Sequence, residues 1–545
     1  MGDVLVSNSV QNNEERRQRA ESRLVSDDIN ADDFPETVEV PQDLNRAFSF
    51  KTLWAFTGPG FLMSIAYLDP GNIESDLQSG AKAQYRLLWV LMWAHIIGML
   101  LQRLSARLGV VSGKHMAEIA FHFYPKIPRI ILWVMIEIAI ICSDMQEVIG
   151  TAIAFYLLSR GSIPLFVGVL ITVLDTFTFL FIDRCGVRKL EMFFGLLITI
   201  MAASFGYEFV VVKPSLPAII SGTVIPWCSG CGKEEFMQAI SAVGAVIMPH
   251  NLYLHSALVK SRRINRKSRS CVEEANKYYV IESAVALSAS FFINLFVVAV
   301  FAHGLYGKTN ADVREMCISQ HGIPDPLAFP NNTNPVEVDI YKGGIYLGCE
   351  FGLAAMFVWA VGIFAAGQSS TMTGTYTGQF VMEGFLNLVL PKWQRILITR
   401  SIAIIPTLIL TFYTHGVKNL TGMNDLLNCV QMIQLPFALI PIITFTSSSK
   451  IMHDFRSSRS FQLFALSASA VILSINVYFI CEYVSSVIGS QWYVIIGLVP
   501  PTLLYIAFVG YLTVYCLVAC EIISEDLTIR GFNFKREYEN VAPWR

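Results

Sequence analysis

The chain has 545 residues, of which 54% are hydrophobic and 15% charged, where an ordinary soluble protein carries roughly 25% charged residues. Its apolar residues come in long blocks, not in alternating or amphipathic patterns, which excludes a string of soluble domains and makes the bilayer the solvent. A formal net charge of -2 gives no concentrated basic surface, so a nucleic-acid partner is excluded as well.

Residues 1–50 are polar, with Arg16, Arg17, Arg19 and Arg23 followed by Asp27, Asp28, Asp32 and Asp33. They lack the apolar centre of a signal peptide and read as a disordered cytoplasmic tail. On a ruler of about 20 apolar residues per span, twelve helices follow, near 53–80, 87–109, 128–158, 163–182, 188–211, 235–259, 279–305, 344–369, 394–413, 424–446, 461–485 and 491–520. The fold class is therefore an all-α polytopic membrane protein, with a helical domain over 51–520 and a second cytoplasmic tail over 521–545. The tightest joins, Arg160-Gly161 and Asp183-Arg184-Cys185-Gly186, flank span 4.

With the amino terminus inside, the inner loops hold roughly twice as many Lys and Arg as the outer ones, as the positive-inside rule demands. Lys260, Arg262, Arg263, Arg266, Lys267 and Arg269 dominate that count and read as a topology anchor with headgroup contact. The long loop 306–343 then lies outside and carries the glycosylation triplet Asn331-Asn332-Thr333. A second triplet, Asn419-Leu420-Thr421, stands too close to the entry of span 10 to be used. Cys228, Cys231, Cys317 and Cys349 fall near the outer face, where disulfides are permitted and four thiols allow three pairings. Cys228-x-x-Cys231 also has the spacing of half a zinc or redox motif, but no second pair stands nearby.

Two spans carry breaks. In span 1, Asp69-Pro70-Gly71-Asn72 puts an acid at membrane depth, at a cost of at least about 2.5 kcal/mol. Pro70 removes a backbone donor and Gly71 accepts unusual dihedrals, so the helix opens and frees carbonyls beside the carboxylate and the Asn72 amide. Span 6 has the counterpart, Ala245-Val246-Ile247-Met248-Pro249-His250-Asn251, with carbonyls near Ala245 freed. Two breaks at equivalent places in successive five-helix halves point to inverted repeats with a midplane site. The repeats would be about 51–212 and 234–448, with extra spans over 460–520. Asp69, Asn72 and the Ala245 carbonyl offer hard oxygens, and Met248 a soft thioether, a mixture that suits transition metals better than calcium or magnesium. A carboxylate-bearing cargo such as an amino acid would be repelled by Asp69.

Further ionisable groups lie in the spans: Glu137, Asp144 and Glu147 in span 3, His250 and His255 in span 6, and Arg400 in span 9. Asp144 and Glu147 share a helix face. With Glu137 they form a stripe for handing protons inward, with Arg400 as counter-charge and His250 as the group that titrates most readily. Static ion pairing between helices is the alternative, and His255 reads as structural.

At these residues the sequence resembles the Nramp family of proton-coupled divalent-metal transporters. The resemblance is carried by Asp69-Pro-Gly-Asn72, Met248-Pro-His250-Asn251 and Gly367-Gln-Ser-Ser-Thr-Met-Thr-Gly-Thr-Tyr-Thr-Gly-Gln379, which looks like the transport signature after span 8, and it runs from about 50 to 520. It implies a LeuT-like fold and metal bound by Asp69, Asn72, the Ala245 carbonyl and Met248. Protons would move through Asp69, His250 and the span 3 acids. Asn428, in Asn428-Cys-Val-Gln431, stands where the family places a further polar residue, and either reaches the ion, directly or through water, or packs helices. The implied activity is symport of manganese, ferrous iron and, as further candidates, cadmium and cobalt toward the cytosol, in a plasma, endosomal or lysosomal membrane. No enzyme is expected, since no Walker loop or His-Glu-x-x-His is present, and no cofactor, because metal and protons are cargo; a monomer suffices.

Overall fold

The computed structural model describes residues 38–40, 48–172, 187–320, 323–325, 327–387, 392–413, 420–483 and 492–523. The tail over 1–37, Asp183 to Gly186, Asn419 and the end of the chain beyond 523 lie outside the described residues. The helices are α1 (Phe50–Phe56), α2 (Pro59–Ile65), α3 (Pro70–Ala83), α4 (Leu88–Ser112), α5 (Met116–Phe123), α6 (Lys126–Leu158), α7 (Val187–Val212), α8 (Leu216–Val224), α9 (Lys233–Val246), α10 (Pro249–Leu258), α11 (Arg269–Gly304), α12 (Asn310–Ser319), α13 (Ile340–Phe351), α14 (Leu353–Leu386), α15 (Lys392–Tyr413), α16 (Leu420–Gln434), α17 (Pro436–Ser447), α18 (Arg459–Tyr483) and α19 (Trp492–Ala519). A two-residue parallel pair joins β1 (Val38–Glu39) to β2 (Arg262–Arg263).

Among the described residues, eight helices are long and apolar enough to cross a membrane. Large apolar side chains such as Leu463, Val471, Leu503 and Leu504 are exposed on α18 and α19, a surface that only lipid would solvate without penalty. The chain is an integral membrane protein. Span 1, divided into helices of 7 and 14 residues, is not one of the eight. The expected spans 3 and 9 are occupied by α6 and α15, and span 4 is described only through 172.

One boundary differs from expectation. The hydropathy pattern places span 8 at 344–369 with the signature beyond it, whereas Gly352, at φ 90°, separates α13 from α14, and α14 runs on to Leu386. The run of Ser, Thr and Gly placed beyond span 8 is part of this helix, and the hydroxyls of Thr373, Thr375 and Thr377 are satisfied by the carbonyls of Ser370, Thr371 and Thr373 at 2.9, 2.7 and 2.7 Å. Its glycines seat the helix: a Cβ at Gly367 would strike Thr151, and one at Gly374 would strike Asp144. Thus α14 lies close along α6, and these two form the stiff wall against which the broken helices are held.

The four cysteines near the expected outer face pair as Cys228–Cys231, just before α9, and Cys317–Cys349, which ties α12 to α13. Asn331 is exposed on the same loop as α12.

Candidate functional site

The two interruptions follow from the same covalent fact. The carbonyl of Ala66 would accept from residue 70 and that of Ala245 from residue 249, and both of those are prolines without an N–H. Helix α2 therefore stops at Ile65 and α3 restarts at Pro70, while α9 stops at Val246 and α10 restarts at Pro249. Asp69 and Met248 both take extended backbone as N-caps of the second halves. The breaks touch, since Asn251 Nδ2 donates to the freed Ala66 oxygen at 3.4 Å.

Asp69 is held by three donors: Asn72 N and Asn72 Nδ2 reach Oδ1 at 3.1 and 2.7 Å, and Gly71 N reaches Oδ2 at 3.3 Å. The positive end of α3 faces this carboxylate, and the carbonyl ends of α2 and α9 face the same gap, a combination that favours a cation beside a fixed anion. Asp69, Asn72, Ala245 and Met248 are all buried, and Asn72 Oδ1 has no partner among the described residues. An anionic oxygen, an idle amide oxygen, a freed carbonyl and a thioether are thus all buried at the two breaks, which touch through Asn251 and Ala66. This donor set fits a borderline transition-metal ion.

A second polar layer lies against this gap. Asn428 of α16 is fully buried; its Oδ1 accepts from Gln146 Nε2 of α6 at 2.8 Å, and Gln431 Nε2 donates to Gln146 Oε1 at 2.8 Å. A Cβ at Gly71 would lie 2.6 Å from Gln146 Oε1, and one at Gly244 would lie 3.0 Å from the Asn428 carbonyl. Glycine at these two positions is what lets α6 and α16 approach the two breaks.

On α6, Asp144 and Glu147 are buried against Gly374 of α14, while Glu137, two turns away, is partly buried. Ser143 Oγ donates to Glu147 at 3.4 Å. His250 lies buried in the first turn of α10, which packs on α6, and its Nδ1 has no hydrogen-bond partner among the described residues. His255 is engaged by Gln102 Oε1 at 2.8 Å, as suits a structural residue. Arg400 falls in α15, with its side chain outside the described residues.

Residues 60–482 match the family model described as natural resistance-associated macrophage protein-like, Nramp. The chain belongs to the Nramp family. It is 75% identical over 510 residues to the NRAMP-like transporter smf-1 of Caenorhabditis elegans, covering 93% of this chain and 91% of that protein. Against natural resistance-associated macrophage protein 2 of Homo sapiens the identity is 58% over 486 residues, covering 89% and 85%. A crystal structure of a mutant of the manganese transporter of Eremococcus coleocola aligns with TM-score 0.75 and 30% identity, covering 89% of this chain and 98% of that one. The fold is thus that of Nramp transporters, and the family is one of transporters, not of enzymes.

Several residues that the sequence does not single out are prominent in this Nramp structure. Arg262, which reads as part of a basic topology anchor, is buried, donating to Glu191 at 2.7 Å and to the carbonyls of Thr57 and Ala55 at 2.6 and 3.0 Å. Beside it, Glu282 accepts from the N–H of Gly60 at 3.0 Å and from that of Gly58. Toward the opposite face, Glu74 of α3 accepts from Asn424 Nδ2 of α16 at 2.5 Å and from Ile340 N at 3.4 Å. Gln146 and Gln431 complete the set. Polar side chains at membrane depth are the signal that could have found them, and for the two glutamines that signal is weak because they carry no charge.

Proposed function

We propose that this Nramp protein is a secondary transporter that carries divalent transition-metal ions, with manganese and ferrous iron foremost and cadmium and cobalt as further candidates, toward the cytosol together with protons by alternating access. The single observation that carries the reading is the gap between the two breaks, where Asp69, Asn72, the Ala245 carbonyl and Met248 are buried and the breaks touch through Asn251 and Ala66. Metal is the cargo: Asp69 supplies the charge, Asn72 and Ala245 neutral oxygens, and Met248 the preference for softer ions over calcium and magnesium. Protons use Asp69 and His250 and then the α6 stripe of Glu137, Asp144 and Glu147, with Arg400 as counter-charge. The architecture is LeuT-like, two inverted five-span repeats plus two spans, with both termini cytoplasmic and the Asn331 face outside. The identity of E. coleocola's transporter as one for manganese supports the cargo class.

The test is radiolabelled manganese uptake into proteoliposomes under an imposed pH gradient. Inward acidification of the lumen should accompany uptake, and Asp69→Asn should abolish both while leaving a monodisperse protein, because a neutral amide cannot attract a dication in a low-dielectric gap. Uptake at the wild-type rate by Asp69→Asn would overturn the site.

A further inference from the structure

Three amides, Asn428, Gln146 and Gln431, run head to tail beside the gap, and their polarity can be read from a fixed point. A backbone carbonyl only accepts, and Gln146 Nε2 lies 3.4 Å from the carbonyl of Asn424. That end of Gln146 is therefore its N–H2, so the Asn428 atom 2.8 Å from it is the oxygen, and the atom receiving Gln431 Nε2 is Gln146 Oε1. Each end of the chain is then left idle: Asn428 Nδ2 and Gln431 Oε1 are both buried with no partner among the described residues.

This polarity is wrong for binding a cation. The Asn428 oxygen is turned to Gln146, with one of its two lone pairs engaged, and the idle end of the amide is a donor, which a metal ion repels. Rotating all three amides by a half-turn gives the same count of bonds between them, with Asn428 Nδ2 now donating to Gln146 Oε1 and Gln146 Nε2 donating to Gln431 Oε1. The Asn428 oxygen is then free for the ion. What is lost is the long contact with the Asn424 carbonyl, which biases the empty chain toward the polarity described here.

We infer that Gln146 and Gln431 are positioning residues for the metal, forming with Asn428 a reversible amide relay whose polarity decides whether Asn428 offers the cargo an oxygen or withholds it. The inference rests on the metal site proposed above. It gives the relay two nearly balanced states, and the ion, by supplying the missing partner of the Asn428 oxygen, selects one. Since Gln146 also abuts Gly71 in the first break, the same amide feels both broken helix α3 and helix α16.

Carboxylates fix the polarity because they only accept. Gln146→Glu forces Asn428 to donate and so to expose its oxygen; Gln431→Glu does the same from the far end of the relay. Manganese affinity of the purified full chain in detergent, measured by isothermal titration calorimetry, should rise with either substitution by on the order of tenfold more in the Asn428 background than in the Asn428→Ala background. The added negative charge attracts manganese in both backgrounds and cancels in that ratio. Equal factors in the two backgrounds, for whichever of Gln146→Glu and Gln431→Glu folds, would overturn the relay; Gln146→Met, which removes all hydrogen bonding at unchanged bulk, should have its effect abolished by Asn428→Ala, and an undiminished effect there would overturn it equally. Asp69→Asn is run beside them. Undiminished manganese binding in that variant would remove the site itself, whereas its loss together with equal factors would remove only the relay.

Discussion

The two faces of the molecule are closed by different chemistry. On the face proposed to be inner, a permanent cation is bound on several sides: Arg262 donates to Glu191, to two carbonyls of the chain entering α2 and to the Ser261 hydroxyl, and β2, which carries it, pairs with β1. On the face proposed to be outer, the tie between α3 and α16 is a carboxylate, Glu74, held by the amide of Asn424. Lys82, two turns along α3, is bound to Gln78 and Gln238 at 3.1 and 3.0 Å. A guanidinium keeps its charge at any physiological pH, so the cation of the inner tie does not titrate. The outer tie instead rests on a carboxylate held by an amide.

The largest effect should come from the inner face. Arg262→Ala removes the cation of the buried pair with Glu191, and removing one partner of a buried ion pair costs about 3–5 kcal/mol. Thermal unfolding in detergent should show the loss, and Arg262→Lys should recover little, because an ammonium cannot reach the separated carbonyls and the carboxylate together. A melting temperature for Arg262→Ala equal to wild type would break the comparison.

Next comes the ion pair that flanks the inner closure. Lys260 Nζ lies 3.0 Å from Glu118 Oε2, and His115 stands 3.7 Å from the same oxygen. Burial raises the Glu118 pKa, but the charges of His115 and Lys260 and the His115 N–H outweigh it and hold the group at about 2, against an ordinary 4.5. A depressed folded value stabilises above the unfolded pKa and is lost as pH falls. Stability should therefore decline between about pH 4.5 and 2, by on the order of 3 kcal/mol in the full span. In Glu118→Gln that acid-limb decline should shrink; an identical acid limb would remove this pair from the inner closure.

A smaller effect is expected at the outer tie. Glu74→Gln keeps an oxygen for Asn424 at nearly unchanged shape, so stability should change by no more than about 1 kcal/mol. A loss comparable to that of Arg262→Ala would mean that the two closures are alike. Smallest of all, Asn331→Gln should remove a glycan shift on gels from cells with little change in uptake, since Asn331 is exposed and far in sequence from every site residue. No shift would reverse the assignment of outer and inner faces.

Covalent chemistry makes much of the site legible in the residue order alone. Pro70 and Pro249 cannot donate to Ala66 and Ala245 in any fold, so the sequence by itself determined where both helices stop, which carbonyls are freed and that Asp69 stands beside one of them. Long apolar blocks likewise determined a polytopic membrane protein. Tertiary structure decided the rest. That span 8 runs on through Gly367 to Gln379 depended on α6 lying close enough for glycines to matter, with hydroxyls bonding back along α14 to satisfy its polar side chains. Arg262 carries the same charge as its neighbours in a basic run, and only the approach of α1, α2 and α7 turned it from a solvated cation into a buried one. Gln146 and Gln431 are neutral and carry no signal alone. Their meaning comes from a carbonyl on another helix, because a hydrogen bond has a direction that the order of residues along one chain does not record.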